Sequence, residues 1–561
     1  MAEPAAGSVD LGTLRVPPRV AWLIGAAVVL LYLLPIGFFP LSEPDEARYG
    51  EIAREMLTRG DWVTPTCNYV RYFEKPPLVY WLTAATFSGL GISEFAARLW
   101  PALFGLLGIA TAGLLGRAMY GPWVGVVAAG VLAACPYYFG LSQALVLDVP
   151  LAALVAVAHG AFWAAYVTAV PWQRRAAVLA LAVATALAVL TKGPVAVVLV
   201  GGTLASFIAL RREWRALRWL VSPLAVAAFL VVAVPWFVMV SVRSPEFVDF
   251  FVVKQHLQRF AAPTEHRQGA WFFVPVILGG GLPWTAFFVL APGQMLAALR
   301  RLVTGRASAA TLYCVLWIAV TFVFFSLSRS KLATYVVPLF PPLAILMARG
   351  LRDLVAGGAP IPLRRGYVLA TAVGVGALLA APVVAEVLEL WQMPTIVSRM
   401  VIGGALATAL GLAALRQLRL GARPASLATL LVAVLGFQGV AISGRGIAPA
   451  YDALGGTIRQ VAGPGDAVAV YRHYAHGIAF YAQRRVVQVI HRGELSFGGR
   501  LGDSRTYFWP TDDALLDHWR SGRRVFLVIN RGDLESLASR MIPAPRQLAG
   551  EGKKVVVVNF D

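Results

Sequence analysis

Residues 20–57 read VAWLIGAAVVLLYLLPIGFFPLSEPDEARYGEIAREML. The run 20–39 is uncharged and almost wholly apolar, and the stretch Leu41–Leu57 that follows carries Glu43, Asp45, Glu46, Glu51 and Glu55. A helix rising about 1.5 Å per residue needs about 20 residues to cross a hydrocarbon core about 30 Å thick. Carboxylates at that depth are costly and mark function where they occur. The join therefore reads as a helix leaving a membrane and turning directly into an acidic helix at its surface.

The rest of the chain repeats the apolar element. Of 561 residues, 58% are hydrophobic and 14% charged, with a mean hydropathy of +0.69; soluble domains carry about 25% charged residues. About thirteen spans are expected, near 20–39, 97–117, 122–136, 143–168, 176–191, 194–210, 217–241, 269–296, 310–327, 333–348, 366–388, 397–415 and 424–442. The fold class is thus an α-helical polytopic membrane protein. With a cytoplasmic N-terminus, the inner segments hold 19 Lys and Arg against 4 Asp and Glu, and the outer loops 14 against 14. That asymmetry follows the positive-inside rule, so most of the net charge of +20 is a topology signal. Nucleic acid is not an expected partner; membrane lipids are. Cys67, Cys135 and Cys314 lie far apart and give neither a disulfide framework nor a metal spacing.

Two domains are expected: a transmembrane domain over 1–442, with outer loops at 39–96 and 242–268, and an α/β domain over 443–561. In the latter, apolar runs shorten to strand length in DAVAVYR, RVVQVI, RVFLVI and KKVVVVNF, with helical patterns between them. An odd span count puts this domain outside, on the face that carries the acids.

In the acidic helix, Ser42 and Asp45 form an S-x-x-D start, and Pro44 suits a first turn. Tyr49, Ile52, Ala53 and Met56 recur on one face, which Asp45 shares. Glu51, Arg54 and Glu55 read as a solvated face with local pairs. Asp45 is either a helix cap, worth about 0.3–1 kcal/mol, or a chemical group. In RYFEKPPLVYW, Lys75 follows Tyr72 and Glu74; it is either a snorkelling lysine or a point charge for a lipid phosphate. Asp148, in LVLDVP, opens a span from its outer end, as a cap or a functional carboxylate. Lys192, Arg329 and Lys331 lie at outer span ends, and His256 and Arg259 in the second outer loop.

At these residues the sequence resembles a known family. LSEPDEARYGEIAREMLTRGDWVTP, RYFEKPPLVYW and FSLSRSKLATYVVPLFPPLAILMARGL are similar to bacterial aminoarabinose transferases, and LTKGP more weakly so. These belong to the protein O-mannosyltransferase-like glycosyltransferases of GT-C fold. The resemblance implies a bacterial inner-membrane enzyme with its site and terminal domain in the periplasm. It would move a sugar, with inversion, from a polyprenyl (undecaprenyl) phosphate carrier to lipid A phosphate or another periplasmic acceptor. It implies catalytic roles for Asp45 and Asp148, and carrier-phosphate contacts for Lys75, Tyr72, Arg259 and Lys331. Glu46, Tyr49, Glu74, Lys192, His256 and Tyr335 are implied in the substrate pocket. No cofactor is assigned. A divalent metal on Glu74, as in some relatives, would want a histidine in ELWQMPT (389–395), which has none. A related transferase of hexose to protein or another glycan is the alternative. A transporter would more naturally show repeats and midplane charges.

Overall fold

The computed structural model describes residues 18–258, 268–289, 292–356, 360–387, 394–441, 450–490, 493–501 and 507–560. The chain forms two compact units. One comprises Met1–Ile36, Trp100–Phe237 and Val252–Gly444; the other comprises Gly37–Leu99, Val238–Phe251 and Arg445–Asp561.

The first unit is helical. Among the described residues, nine helices are long and apolar enough to cross a membrane, among them Glu94–Tyr120, Asp148–Val167, Pro171–Lys192, Pro223–Arg243 and Ala309–Leu327. The apolar pair Pro122–Ala133 and Pro136–Ser142 is bent by 63°, as a broken span or a re-entrant loop is, where Pro136 removes a backbone donor and Cys135 is extended. The chain is a multi-pass membrane protein. On Pro223–Arg243, Leu224, Val231 and Val238 recur every two turns and stand exposed, a stripe suited to lipid. The other expected spans are shorter or interrupted. Pro18–Leu33 has 16 residues, ending before Pro35, and Val195–Arg211 has 17. The span expected over 269–296 breaks at GGGLP, 279–283, between the helices Phe273–Gly280 and Trp284–Val289. Three glycines and a proline cannot sustain a helix there.

The second unit is built on a six-stranded mixed sheet. After a small hairpin of β1 (Thr66–Cys67) and β2 (Val70–Arg71), its strands are β3 (Ala467–Tyr471), β4 (Val487–Val489), β5 (Phe508–Trp509), β6 (Val525–Asn530), β7 (Arg546–Glu551) and β8 (Lys554–Val558). The order is β5-β4-β3-β6-β8-β7, with β5 to β6 parallel and β7 and β8 antiparallel to their neighbours. The apolar runs read from sequence are the four strands buried on both faces, as covered strands require. One face packs Leu527, Ile529, Val555 and Val557 on Leu515 and Trp519. The other packs Phe526, Val528, Val556 and Val558 on Leu454, Ile458 and Ile478. β5 and β7 escape the sequence reading for clear reasons: the first has two residues, and the second, RQLAGE, is a largely exposed edge without an apolar run.

The acidic stretch forms a helix over Asp45–Arg59, and every residue from Glu46 to Met56 is buried. This corrects the expected solvated face. Arg54 donates to both oxygens of Glu51, at 2.7 and 2.6 Å. Glu55 accepts from the Thr66 hydroxyl and the Tyr69 N–H, at 2.6 and 2.9 Å, so the hairpin covers that side of the helix. The other side lies on the helix His476–Ala482, approaching so closely at Gly50 that a Cβ there would come within 3.1 Å of the Phe480 ring. The expected cap is also corrected. Pro44 precedes the helix without a side-chain cap, and Glu46, not Asp45, reaches back to the Ser42 N–H and hydroxyl at 3.1 and 2.6 Å. Glu46 also receives Arg98, at 2.7 and 2.9 Å, while Arg98 donates to the carbonyls of Phe39 and Pro40.

Removing one charge from a buried pair strands the other at a cost of about 3–5 kcal/mol. Glu46→Gln is therefore expected to lower the unfolding temperature of the detergent-solubilised chain clearly, as read by tryptophan fluorescence. An unchanged unfolding temperature would show that the pair does not anchor this helix.

Candidate functional site

Two residues beyond the buried Glu46, Arg48 organises the polar surface of the second unit. Its guanidinium donates to Asp45 on the preceding turn and to Glu494 in the turn Gly493–Ser496. Arg48 is buried, whereas Asp45 and Glu494 are each about half exposed, at 50% and 47%. The pair at i, i+3 fixes the direction of the Asp45 carboxylate. The guanidinium also lies 5.1 Å from the centre of the Tyr49 ring and 6.0 Å from that of Tyr72. The Tyr49 and Tyr80 rings are 5.9 Å apart. Among the described residues, the buried hydroxyls of Tyr72 and Tyr80 meet no partner. Glu74 acts electrostatically on Arg48, and half-buried Lys75 follows it.

His476 completes the cluster. Its Nε2 lies 3.7 Å from Glu494 and its Nδ1 3.5 Å from the Cys67 sulfur. Burial lowers the pKa of His476, partly opposed by Glu494. Burial works against ionisation of Glu494 too, but His476 and the Arg48 guanidinium outweigh it and hold the carboxyl well below its usual range. Glu494 is therefore an anion at neutral pH, and its share of the Arg48 guanidinium does not depend on proton uptake there.

The expected residues separate into two groups. The second unit gathers Asp45, Tyr49, Tyr72 and Glu74 around Arg48, whereas Glu46 turns to Arg98 and Ser42. In the first unit, Asp148 opens its helix without capping it and receives Lys192 at 2.5 Å. The Lys192 ammonium also lies 4.7 Å from the centre of the Tyr335 ring. Lys331 is buried and donates to the carbonyls of Gln268, at 3.0 Å, and Ser328. Arg259 lies outside the described residues, as do the side chain of His256 and most of the ELWQMPT stretch. The sequence reading missed Arg48, His476 and Glu494. Arg48 was legible as the i+3 partner of Asp45; Glu494, 446 positions from Arg48, had no local signal.

A membrane helical array with a fixed carboxylate cluster on an extramembrane helix suits chemistry on a lipid-borne substrate. Residues 20–251 match the family profile described as dolichyl-phosphate-mannose-protein mannosyltransferase, and residues 454–559 that of the aminoarabinose transferase C-terminal domain. The class is a lipid-carrier-dependent membrane glycosyltransferase. A protein of Erwinia tasmaniensis named undecaprenyl phosphate-alpha-4-amino-4-deoxy-L-arabinose arabinosyl transferase is 30% identical over 557 residues, covering 96% of this chain and 98% of that protein. One of the same name, numbered 2, from Sodalis glossinidius is 34% identical over 324 residues, 57% of this chain and 58% of the relative. The crystal structure of ArnT from Cupriavidus metallidurans bound to undecaprenyl phosphate matches with a TM-score of 0.86 at 29% identity, covering 97% of this chain and 99% of that one. The chain belongs to the aminoarabinose transferase family.

Two outcomes follow from this geometry. Glu494→Gln removes the anion that shares Arg48 with Asp45, so kcat for sugar transfer is expected to fall by up to about 100-fold, as misplaced groups cost. A wild-type kcat would exclude Glu494 from positioning Asp45. The second concerns pH. Burial pushes the Glu43 carboxyl up to about 7, although Gly477 and His476 N–H groups and Arg48 oppose the shift. A carboxyl raised in the folded state stabilises it fully below the ordinary value of 4.5 and loses that effect as pH rises through about 7. Burial, then the neighbouring Glu51, pushes Glu55 up to about 8, with the same sign. Stability is expected to decline between about pH 5 and 8, and Glu43→Gln to make that decline shallower. Thermal unfolding across that range measures it, and identical slopes would refute the Glu43 contribution.

Proposed function

We propose that the chain transfers 4-amino-4-deoxy-L-arabinose from its undecaprenyl phosphate carrier to a phosphate of lipid A. The observation that carries this reading is the end-to-end similarity to a transferase of that name, together with the Arg48-held Asp45 and FEKPP in one unit. The proposed setting is a bacterial inner membrane, with the N-terminus cytoplasmic and the terminal domain periplasmic. The cation excess of the inner segments supports that orientation.

In the proposed step, an acceptor phosphate oxygen attacks the anomeric carbon and the bond to the carrier phosphate breaks. Undecaprenyl phosphate leaves with the bonding electron pair, and the sugar inverts. A phosphate monoester, with a second pKa of about 6, is already anionic near neutral pH. It therefore needs neither a cofactor nor a strong base. Asp45 orients the acceptor and faces positive charge developing on the sugar. Lys75 stabilises the negative charge developing on the leaving phosphate, with Tyr72 supplying a buried hydroxyl beside it. In its own unit, Lys331 is proposed as a carrier contact. Two of its three ammonium protons meet carbonyls, which leaves one for a phosphate oxygen. Asp148 holds Lys192 in place against Tyr335.

The mannosyltransferase profile over 20–251 favours a second reading, transfer of a hexose to a hydroxyl. Asp45 would then be the general base. Full-length protein reconstituted with a panel of undecaprenyl phosphate sugars and acceptors separates the two. Mass spectrometry is expected to find aminoarabinose on lipid A, with Asp45→Asn and Lys75→Ala each slowing transfer by about 100-fold or more. Turnover only with a hexose carrier and a hydroxyl acceptor would replace the first reading by the second.

A further inference from the structure

The second unit also holds a cavity of about 500 Å³, lined by Arg59, Arg71, Arg243 and Arg485, by Asp61, and by Thr64, Thr66 and Tyr69. That volume lies within the range of about 300–1,000 Å³ usual for ligand sites. Two of the arginines are matched: Arg243 meets Asp61 at 3.1 Å, and Arg71 meets Glu246. The other two are not. Arg59 donates to the Thr66 hydroxyl at 2.9 Å, and Arg485 lies against the Tyr69 and Tyr507 rings. Among the described residues, neither has a carboxylate at ion-pair distance.

The hairpin that forms one wall is shaped in an unfavourable way. Asn68 and Tyr69 join paired Cys67 and Val70 as a two-residue turn, both with positive φ, 54° and 63°. Asparagine suits that turn, but a bulky tyrosine is strained in it. Two contacts enforce the conformation: Asn68 exchanges hydrogen bonds with the Val486 backbone at 2.8 and 2.9 Å, and Glu55 takes the Tyr69 N–H. The result is an aromatic ring with the guanidinium groups of Arg54, Arg59 and Arg485 about it, at 6.0, 6.0 and 5.6 Å. Strain held in this manner gathers at ligand sites. One of the cavity's lining residues, Arg243, ends the apolar helix Pro223–Arg243.

We propose that this cavity binds a phosphomonoester carried on a membrane-anchored saccharide, the acceptor of the transfer reaction. Unmatched guanidinium forks suit phosphate oxygens, and the tyrosine face and the Thr64 hydroxyl suit a sugar ring. The assignment rests on the transferase reading and adds to it the place where the acceptor is held.

The test uses the full-length detergent-solubilised protein and two separate measurements. In calorimetric titration, glucosamine 1-phosphate is expected to bind saturably and glucosamine not to bind. Arg59→Gln combined with Arg485→Gln is expected to weaken that binding roughly tenfold or more, as loss of charged hydrogen bonds does. In reconstituted transfer, the same double variant is expected to raise the acceptor KM by a similar factor, with the donor KM unchanged. Arg71→Gln, on the exposed rim, is expected to move both in the same direction and serves if the double variant misfolds. Undiminished sugar phosphate binding by folded variants overturns the proposal. So does equal competition by inorganic phosphate or phosphatidylglycerol vesicles, which would make the cavity a general anion or headgroup site. Binding that depends on the arginines without any transfer would sink the transferase reading and leave the site standing. Transfer with an unchanged acceptor KM would do the reverse.

Discussion

The buried pair of Glu46 and Arg98 sets the frame for the second unit. Arg98 meets both oxygens of Glu46 and the carbonyls of Phe39 and Pro40, and Glu46 holds the N–H of Ser42. These contacts fix the start of the acidic helix to the chain that leads into it and to the first turn of Glu94–Tyr120. A buried ion pair adds little net stability, because desolvation offsets most of its Coulomb energy. What it supplies is position. With the helix start fixed, the next turn can carry an arginine whose direction is set rather than averaged, and Asp45 takes its orientation from that arginine.

The same helix shows how a buried surface tolerates charge. Glu51 and Arg54 satisfy one another with two hydrogen bonds, and Glu55 takes a hydroxyl and an N–H from the hairpin. Burial, and after it the neighbouring Glu51, pushes the Glu55 carboxyl up, to about 8. Arg48 differs in one respect: it is buried, yet its two carboxylate partners are half exposed. It carries charge from the interior to a face that solvent or substrate can reach.

Much of this was legible before any coordinates. Composition and run length identified the spans, and the four apolar strands identified the sheet, since both are properties of contiguous sequence. The span over 269–296 was overread, because a hydropathy sum does not notice that GGGLP breaks the helix. The solvated face of the acidic helix was misread for a deeper reason. Periodicity reports how polar residues are spaced along one helix; it cannot report that a hairpin 11 residues further on covers them. Glu494 was invisible because its role exists only through a contact across 446 positions. Asp45 is singled out in the sequence on two grounds, its place at a helix start and the family resemblance, and the structure sets it against Arg48.

Charge balance links the membrane reading to the chemistry. Several bases of the loops that carry the acids have carboxylate partners, Arg48 with Asp45 and Glu494 among them. Arg54 has Glu51, Arg71 has Glu246, Arg98 has Glu46, Arg243 has Asp61 and Lys192 has Asp148. Charges neutralised pair by pair exert little long-range field and do not attract anions indiscriminately. Local departures from neutrality then carry the recognition. Paired groups of this kind hold position, and the few guanidinium groups without a carboxylate partner among the described residues, such as Arg59, are left to give specificity.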